Sequence, residues 1–166
     1  MGTFLEKNIP KTASVLHLGC GNSHLSIQMY DQGWLDQTNI DYSSTVIKNM
    51  SAEFGNVKWI CGDIFSMDSY LDKKYDIAID KGTLDALLTV KHDPWNPDIK
   101  LKEHIRNYVD QIVSALEPNG IYIHITWSQP HFRKIFLSHP HLDVQVNKLC
   151  SESDSFEYFI YICRKI

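Results

Sequence analysis

The chain has 166 residues, a hydrophobic share of 43% and a formal net charge of −4. That length holds one domain, expected to span residues 1–166, and the apolar fraction suits a packed core better than a disordered or collagen-like chain. No apolar run approaches the roughly 18 residues of a membrane span, residues 1–6 lack the basic-then-apolar order of a signal peptide, and the negative balance argues against direct nucleic-acid binding.

Apolar clusters then alternate with punctuation in the rhythm of strand followed by helix. Residues 14–18 read as a first buried strand, ended by glycines. Residues 25–30 read as a helix with Leu25, Ile27, Met29 and Tyr30 on its apolar side, and residues 38–41 as a short second strand. Ser43 or Ser44 caps a helix carrying Val46, Ile47, Met50 and Phe54 at helical spacing.

Residues 57–61 and 75–80 are the third and fourth strands. Between Leu101 and Leu116, the positions Ile105, Tyr108, Val109, Ile112 and Val113 mark the longest amphipathic helix. Pro118-Asn119-Gly120 stops it, and residues 121–126 form a fifth strand. The tail holds two more strand-like runs, 142–149 and 156–163. The six residues between them leave no room for a helix, so the pair should be antiparallel. An α/β domain results, a parallel sheet with a C-terminal antiparallel strand pair.

The four cysteines, Cys20, Cys61, Cys150 and Cys163, show no Cys-x-x-Cys spacing. Free buried thiols in a reducing, cytoplasmic compartment are expected. His139-Pro140-His141 has no nearby carboxylate or cysteine in sequence and reads as a solvated turn, and no metal site is expected.

In an open parallel sheet, ligands bind beyond the carboxyl ends of the strands near the switch point. Gly19-Cys20-Gly21-Asn22-Ser23 sits there, where glycine lets the backbone turn sharply and a ligand lie against it. A dinucleotide loop would carry a third glycine where His24 stands, which disfavours a pyrophosphate cradle. Asp41, about 20 residues on, stands where a carboxylate accepts from both ribose hydroxyls of an adenosine. Asp63 follows the third strand, placed to accept from an adenine amino group while Ile64 covers the ring.

The run Val15-Leu16-His17-Leu18-Gly19-Cys20-Gly21-Asn22-Ser23 resembles the first motif of class I S-adenosylmethionine-dependent methyltransferases. Asp41-Tyr42-Ser43 and Asp80-Lys81-Gly82-Thr83-Leu84-Asp85-Ala86-Leu87 narrow the likeness to eukaryotic lysine methyltransferases acting on translation elongation factor 1-alpha, including the branch encoded alongside an endothelin-converting enzyme. Asp93-Pro94-Trp95 and Pro130-His131-Phe132-Arg133 are similar to that branch as well.

The resemblance implies a single Rossmann-like class I domain that uses S-adenosylmethionine, releases S-adenosylhomocysteine and takes a protein substrate. It places Gly19, Cys20, Gly21 and Asn22 under the cofactor. Asp41 and Tyr42 fall at the ribose and adenine, Asp63 and Ile64 at the adenine, and Lys81 at the methionine end. Two positions depart from the pattern. His17 stands where many class I enzymes have an acid, and residues 1–13 replace a longer aromatic and basic segment, so an open pocket is expected.

Asp80 and Lys81 are the expected catalytic pair, beyond the fourth strand where acceptors approach. Asp85 is read equally as a helix-start acid or a pocket residue. Trp127, Ser128 and His131 are candidates for the rim. The alternatives are a non-catalytic cofactor- or partner-binding module and a small-molecule methyltransferase.

Overall fold

In the computed structural model, which describes residues 2–149 and 157–166, the apolar runs become seven strands. These are β1 (Val15–Leu18), β2 (Gln37–Asp41), β3 (Lys58–Cys61), β4 (Tyr75–Lys81), β5 (Leu116–Thr126), β6 (Leu142–Leu149) and β7 (Tyr158–Lys165). They form one sheet in the order β3-β2-β1-β4-β5-β7-β6. Strands β1 to β5 pair in parallel, and β7 runs antiparallel to both β5 and β6. The order reverses on either side of β1, so the loop after β1 opens at the switch point.

The connections are α1 (Gly2–Asn8), α2 (Leu25–Asp31), α3 (Ser44–Glu53), a 3-10 turn (Ile64–Ser69), α4 (Thr83–Leu87), α5 (Ile99–Ala115) and α6 (Pro130–Leu137). Two starts follow cap chemistry. Ser43 Oγ accepts from the Val46 N–H at 3.4 Å, and Asp98 Oδ1 accepts from the Leu101 N–H at 2.8 Å. The face of α5 that carries Ile105, Tyr108, Val109, Ile112 and Val113 is buried, as its spacing predicts.

Side chains alternate across the sheet and fill two cores. One holds Leu16, Leu18 and Ala78 beneath α5, and the other holds Val15, Ile77, Ile79, Ile123 and Ile125. Leu5 of α1 and Ile9 just after it belong to the second core, packed with Trp34. The indole of Trp34 donates to the Ile9 carbonyl at 3.3 Å, and the Lys11 ammonium sits 3.1 Å from its ring centroid. Residues 2–13 therefore bury apolar surface as well as leading into β1.

Two expectations are corrected. Pro118-Asn119-Gly120 lies within β5 as a bulge. Pairing steps from Tyr75↔Leu116 to Ile77↔Ile121, and Asn119 takes φ +63° to absorb the extra residues. His139 is buried and not in a solvated turn: its Nδ1 accepts from the His141 N–H at 3.0 Å, so Nε2 carries the proton and donates to Asp110 Oδ1 at 2.8 Å. Asp110 comes from α5, a partner no local reading supplies. Cys20, Cys61 and Cys163 are free thiols, but only Cys163 is buried: Cys20 is half-buried and Cys61 exposed, whereas Cys150, the 150–155 connection and Phe156 lie outside the described residues. No helix among the described residues is long and apolar enough to cross a membrane.

Candidate active site

The loop after β1 is held open by backbone geometry. Gly19 and Gly21 have φ of +58° and +53°, a region that side chains with a Cβ avoid. At Gly19 space forbids a side chain too, since a Cβ there would lie 2.2 Å from Thr83 Oγ1. The Cys20 N–H donates to the Ile40 carbonyl at 2.9 Å, which pins the loop to the end of β2. Burial, aided by the Asp41 charge, pushes the Cys20 thiol up to about 12, so it is neutral. The helix read over residues 25–30 starts at Leu25, just past this loop.

Asp41 is buried at the end of β2. Its Oδ2 accepts from the Gly21 N–H at 2.8 Å and its Oδ1 from the Ser43 N–H at 2.9 Å. Each oxygen keeps a lone pair for a further donor. Tyr42, beside it, is 84% exposed. After β3, Asp63 caps the 3-10 turn by accepting from the Phe65 N–H at 2.9 Å through Oδ1 alone. Gly19 to Ser23, Asp41, Tyr42, Asp63 and Ile64 share one cavity of about 770 Å³ with Lys81, Gly82 and Thr83. That volume lies within the roughly 300–1,000 Å³ typical of small-ligand sites.

Asp80 and Lys81 are adjacent in sequence and point to opposite surroundings. Asp80 has no exposed surface. Its Oδ1 accepts from the Thr83 N–H at 2.8 Å. Its Oδ2 accepts from the Leu84 N–H at 3.0 Å and from the hydroxyls of Tyr108 and Tyr122 at 2.9 and 3.1 Å. Burial alone would raise this carboxyl. The His124 ring, 3.6 Å away, and the donated hydrogen bonds outweigh it and hold the group below the ordinary carboxylate range. The carboxylate shapes the turn from β4 into α4 from behind and is absent from the cavity wall. Lys81, by contrast, is exposed and lines the cavity.

A second depression of about 620 Å³ adjoins the first, sharing Ser23, Lys81 and Gly82. Its other walls include His24, Gln28, Asp85, Thr126, Trp127 and Tyr158. Asp85 Oδ1 accepts from Thr126 Oγ1 at 2.9 Å and from Arg133 Nε and Nη2 at 3.0 and 2.7 Å. Arg133 lies 48 residues further on in α6, a separation at which sequence spacing carries no signal. Of the expected rim, Trp127 lines this depression at 68% exposure, whereas Ser128 is buried. His131 stacks on Trp95 with centroids 4.9 Å apart, so the two segments at 93–95 and 130–133 meet in space.

His17 lies inside. Its Nε2 meets Gln37 Oε1 at 2.7 Å, while Gln37 donates to the carbonyls of Ser26 and Trp34. Burial lowers its pKa to about 4, so it is neutral near pH 7 and supplies no charge there.

Comparison with known proteins places these features in a family context. A family model described as "Methyltransferase domain" matches residues 9–158. "EEF1A lysine methyltransferase 4" of Bos taurus is 30% identical over 164 residues, which cover 97% of this chain and 64% of that protein. "eEF1A lysine and N-terminal methyltransferase" of Homo sapiens is 33% identical over 148 residues, covering 83% of this chain and 20% of that protein. The chain thus spans less than two thirds of the length of these curated relatives.

Among solved structures, a TehB-like SAM-dependent methyltransferase from Corynebacterium glutamicum superposes with a TM-score of 0.71 at 17% identity, covering 99% of this chain and 86% of that one. The N-methyltransferase NodS from Bradyrhizobium japonicum, in complex with S-adenosyl-l-homocysteine, gives 0.63 at 14% identity, covering 97% and 81%. At such identities the likeness is one of fold: a Rossmann-like class I sheet with its antiparallel C-terminal pair.

Proposed function

Since the chain belongs to the methyltransferase domain family, we propose that it uses S-adenosylmethionine to methylate a protein lysine, with translation elongation factor 1-alpha as the acceptor. One observation carries this reading: two cavities meet at Ser23, Lys81 and Gly82, one suited to a nucleoside and the other opening to the surface beside Trp127. The names of the curated relatives support the acceptor.

The residues present fit the cofactor. The Gly19 backbone has no room for a side chain, and Asp41 keeps acceptor capacity on both oxygens for a pair of hydroxyl donors. Gly19, Cys20, Gly21 and Asn22 would lie beneath it, Asp41 and Tyr42 at the ribose, Asp63 and Ile64 at the adenine, and Lys81 at the junction. When bound, S-adenosylmethionine supplies a methyl already activated on a sulfonium.

The protein's part is alignment and the exclusion of competing geometries. Lys81 stands where the two cavities join and orients the reacting ends. Asp80 fixes the turn that carries Lys81, Gly82 and Thr83, and so acts through them. A lysine acceptor, with a reference pKa of about 10.4, must also shed a proton before its nitrogen can attack. The cytoplasm is the compartment this reading implies, in keeping with three free thiols among the described residues.

The test is a calorimetric titration with S-adenosylhomocysteine, followed by transfer of labelled methyl to purified elongation factor 1-alpha. We expect binding, transfer, and the loss of both in Asp41→Ala. Binding without transfer to the factor or to small amines identifies a non-catalytic module. Transfer to small amines alone identifies a small-molecule enzyme.

A further inference from the structure

Asp85 meets the second cavity with half of its carboxylate already committed. Oδ1 takes all three hydrogen bonds from Thr126 and Arg133, and no hydrogen bond among the described residues uses Oδ2. The side chain is 18% exposed and the Arg133 side chain 9%, so the pair is shielded enough to be strong and open enough to be reached. Two donors of the Arg133 guanidinium converge on Oδ1 and anchor that oxygen by charge-assisted hydrogen bonds.

His124 closes the arrangement from behind. It is fully buried on β5, with Nε2 3.8 Å from Asp85 Oδ1 and Nδ1 3.6 Å from Asp80 Oδ1. Among the described residues, neither ring nitrogen finds a hydrogen-bond partner. A buried polar ring normally finds a partner. Here it is held between two acids, one supporting the β4 turn and one facing the cavity. On the solvent side, Trp127 and Tyr158 are aromatic walls at 68% and 45% exposure.

We propose that Asp85 is the residue that selects the acceptor: its free Oδ2 accepts a hydrogen bond from a primary aliphatic amine entering beside Trp127 and Tyr158. Thr126 and Arg133 are positioning residues that hold the carboxylate, with the His124 ring packed behind it. The inference rests on the methyltransferase reading above and names the chemistry of its acceptor end. A fixed oxygen acceptor rewards a nitrogen that brings N–H donors, and aromatic faces favour the amine's alkyl stem or its cationic form. An alcohol also offers one O–H donor but brings no positive charge, so the charge-assisted bond to the ammonium form of the amine is the basis of discrimination.

n-Butylamine and 1-butanol serve as probes, read by the indole N–H NMR signal of Trp127 in protein saturated with S-adenosylhomocysteine. Trp127→Phe assigns the signal. The wild type should give a saturable shift with n-butylamine at concentrations where 1-butanol gives a much weaker one. Asp85→Asn should weaken n-butylamine about tenfold or more while leaving S-adenosylhomocysteine affinity within about twofold. Thr126→Val, which removes one of the three Oδ1 donors, should weaken the amine by about two- to fivefold.

Equal response to amine and alcohol, or an amine affinity unchanged in Asp85→Asn, overturns the proposal. Loss of S-adenosylhomocysteine affinity in Asp85→Asn also overturns it, because the carboxylate would then serve the fold or the cofactor. Absence of S-adenosylhomocysteine binding in the wild type is a different failure and sinks the methyltransferase reading itself.

Discussion

Thr83 donates its hydroxyl to the Leu18 carbonyl at 2.7 Å, joining the first residue of α4 to the last residue of β1 across 65 positions of sequence. The hydroxyl fills the space beside Gly19, where a Cβ would sit 2.2 Å from it. The glycine after β1 and the threonine of the Asp80–Leu87 run are thus one structural device, read from two distant motifs.

Gly19→Ala should therefore be doubly unfavourable. The left-handed φ of +58° adds roughly 1–2 kcal/mol for a residue with a Cβ, and the collision displaces Thr83 from the Leu18 carbonyl. A drop of several degrees in thermal midpoint and at least about a tenfold loss of S-adenosylhomocysteine affinity are expected. Adding Thr83→Ala to Gly19→Ala removes the collision but not the strain, so it should restore part of the affinity. Calorimetry on the two variants separates the effects, and an unaffected Gly19→Ala would show that the loop does not carry the ligand.

Asp80→Asn tests whether a fully buried carboxylate organises the β4 turn. Four donors converge on it, and an amide offers one acceptor oxygen and turns its NH₂ toward the rest. Destabilisation by about 3–5 kcal/mol at pH 7 is expected from urea unfolding. Tyr108→Phe and Tyr122→Phe each remove one donor and should cost about 1–2 kcal/mol. The folded carboxyl titrates below its ordinary value of 3.8. Its contribution is accordingly present above that value and lost as pH falls through the folded pKa.

His17 predicts acid sensitivity of the opposite origin. Its pKa falls from 6.5 to about 4 on folding, because burial penalises the imidazolium. Below pH 6.5 the unfolded chain binds a proton that the folded chain refuses. Stability is fully present above 6.5 and is withdrawn as pH drops toward 4, by roughly 3 kcal/mol in all. Unfolding free energies at pH 7.5, 6, 5 and 4 should decline across this window. His17→Phe should flatten the decline, whatever its own offset in stability. A wild-type profile that is flat between pH 7 and 4.5 would rule out a buried neutral His17.

The succession of strands, the helices α2, α3 and α5, the antiparallel tail and the strand-end placement of Gly19, Asp41 and Asp63 were readable in the chain. Each rests on signals carried by neighbours in sequence: a short, fully buried run in Val15–Leu18, helical spacing in Ile99–Ala115, a serine cap before α3. Placement was also legible because a parallel sheet sends its strand ends to one edge. The short helices α1, α4 and α6 left weak periodic signals, since seven, five and eight residues offer at most about two turns.

Side-chain partnerships were of another kind. Nothing local distinguishes Asp80, whose carboxylate is wholly used by the fold, from Asp85, whose carboxylate meets the second cavity. The difference arises from which element arrives opposite each acid: Tyr108 of α5 and Tyr122 of β5 over Asp80, Arg133 of α6 over Asp85. Similarly, His139 found Asp110 only because α5 packs beside the approach to β6. Backbone preferences are short-range and are written into adjacent residues, whereas the choice between burying, pairing and exposing a charge depends on the dielectric and donors that distant segments bring.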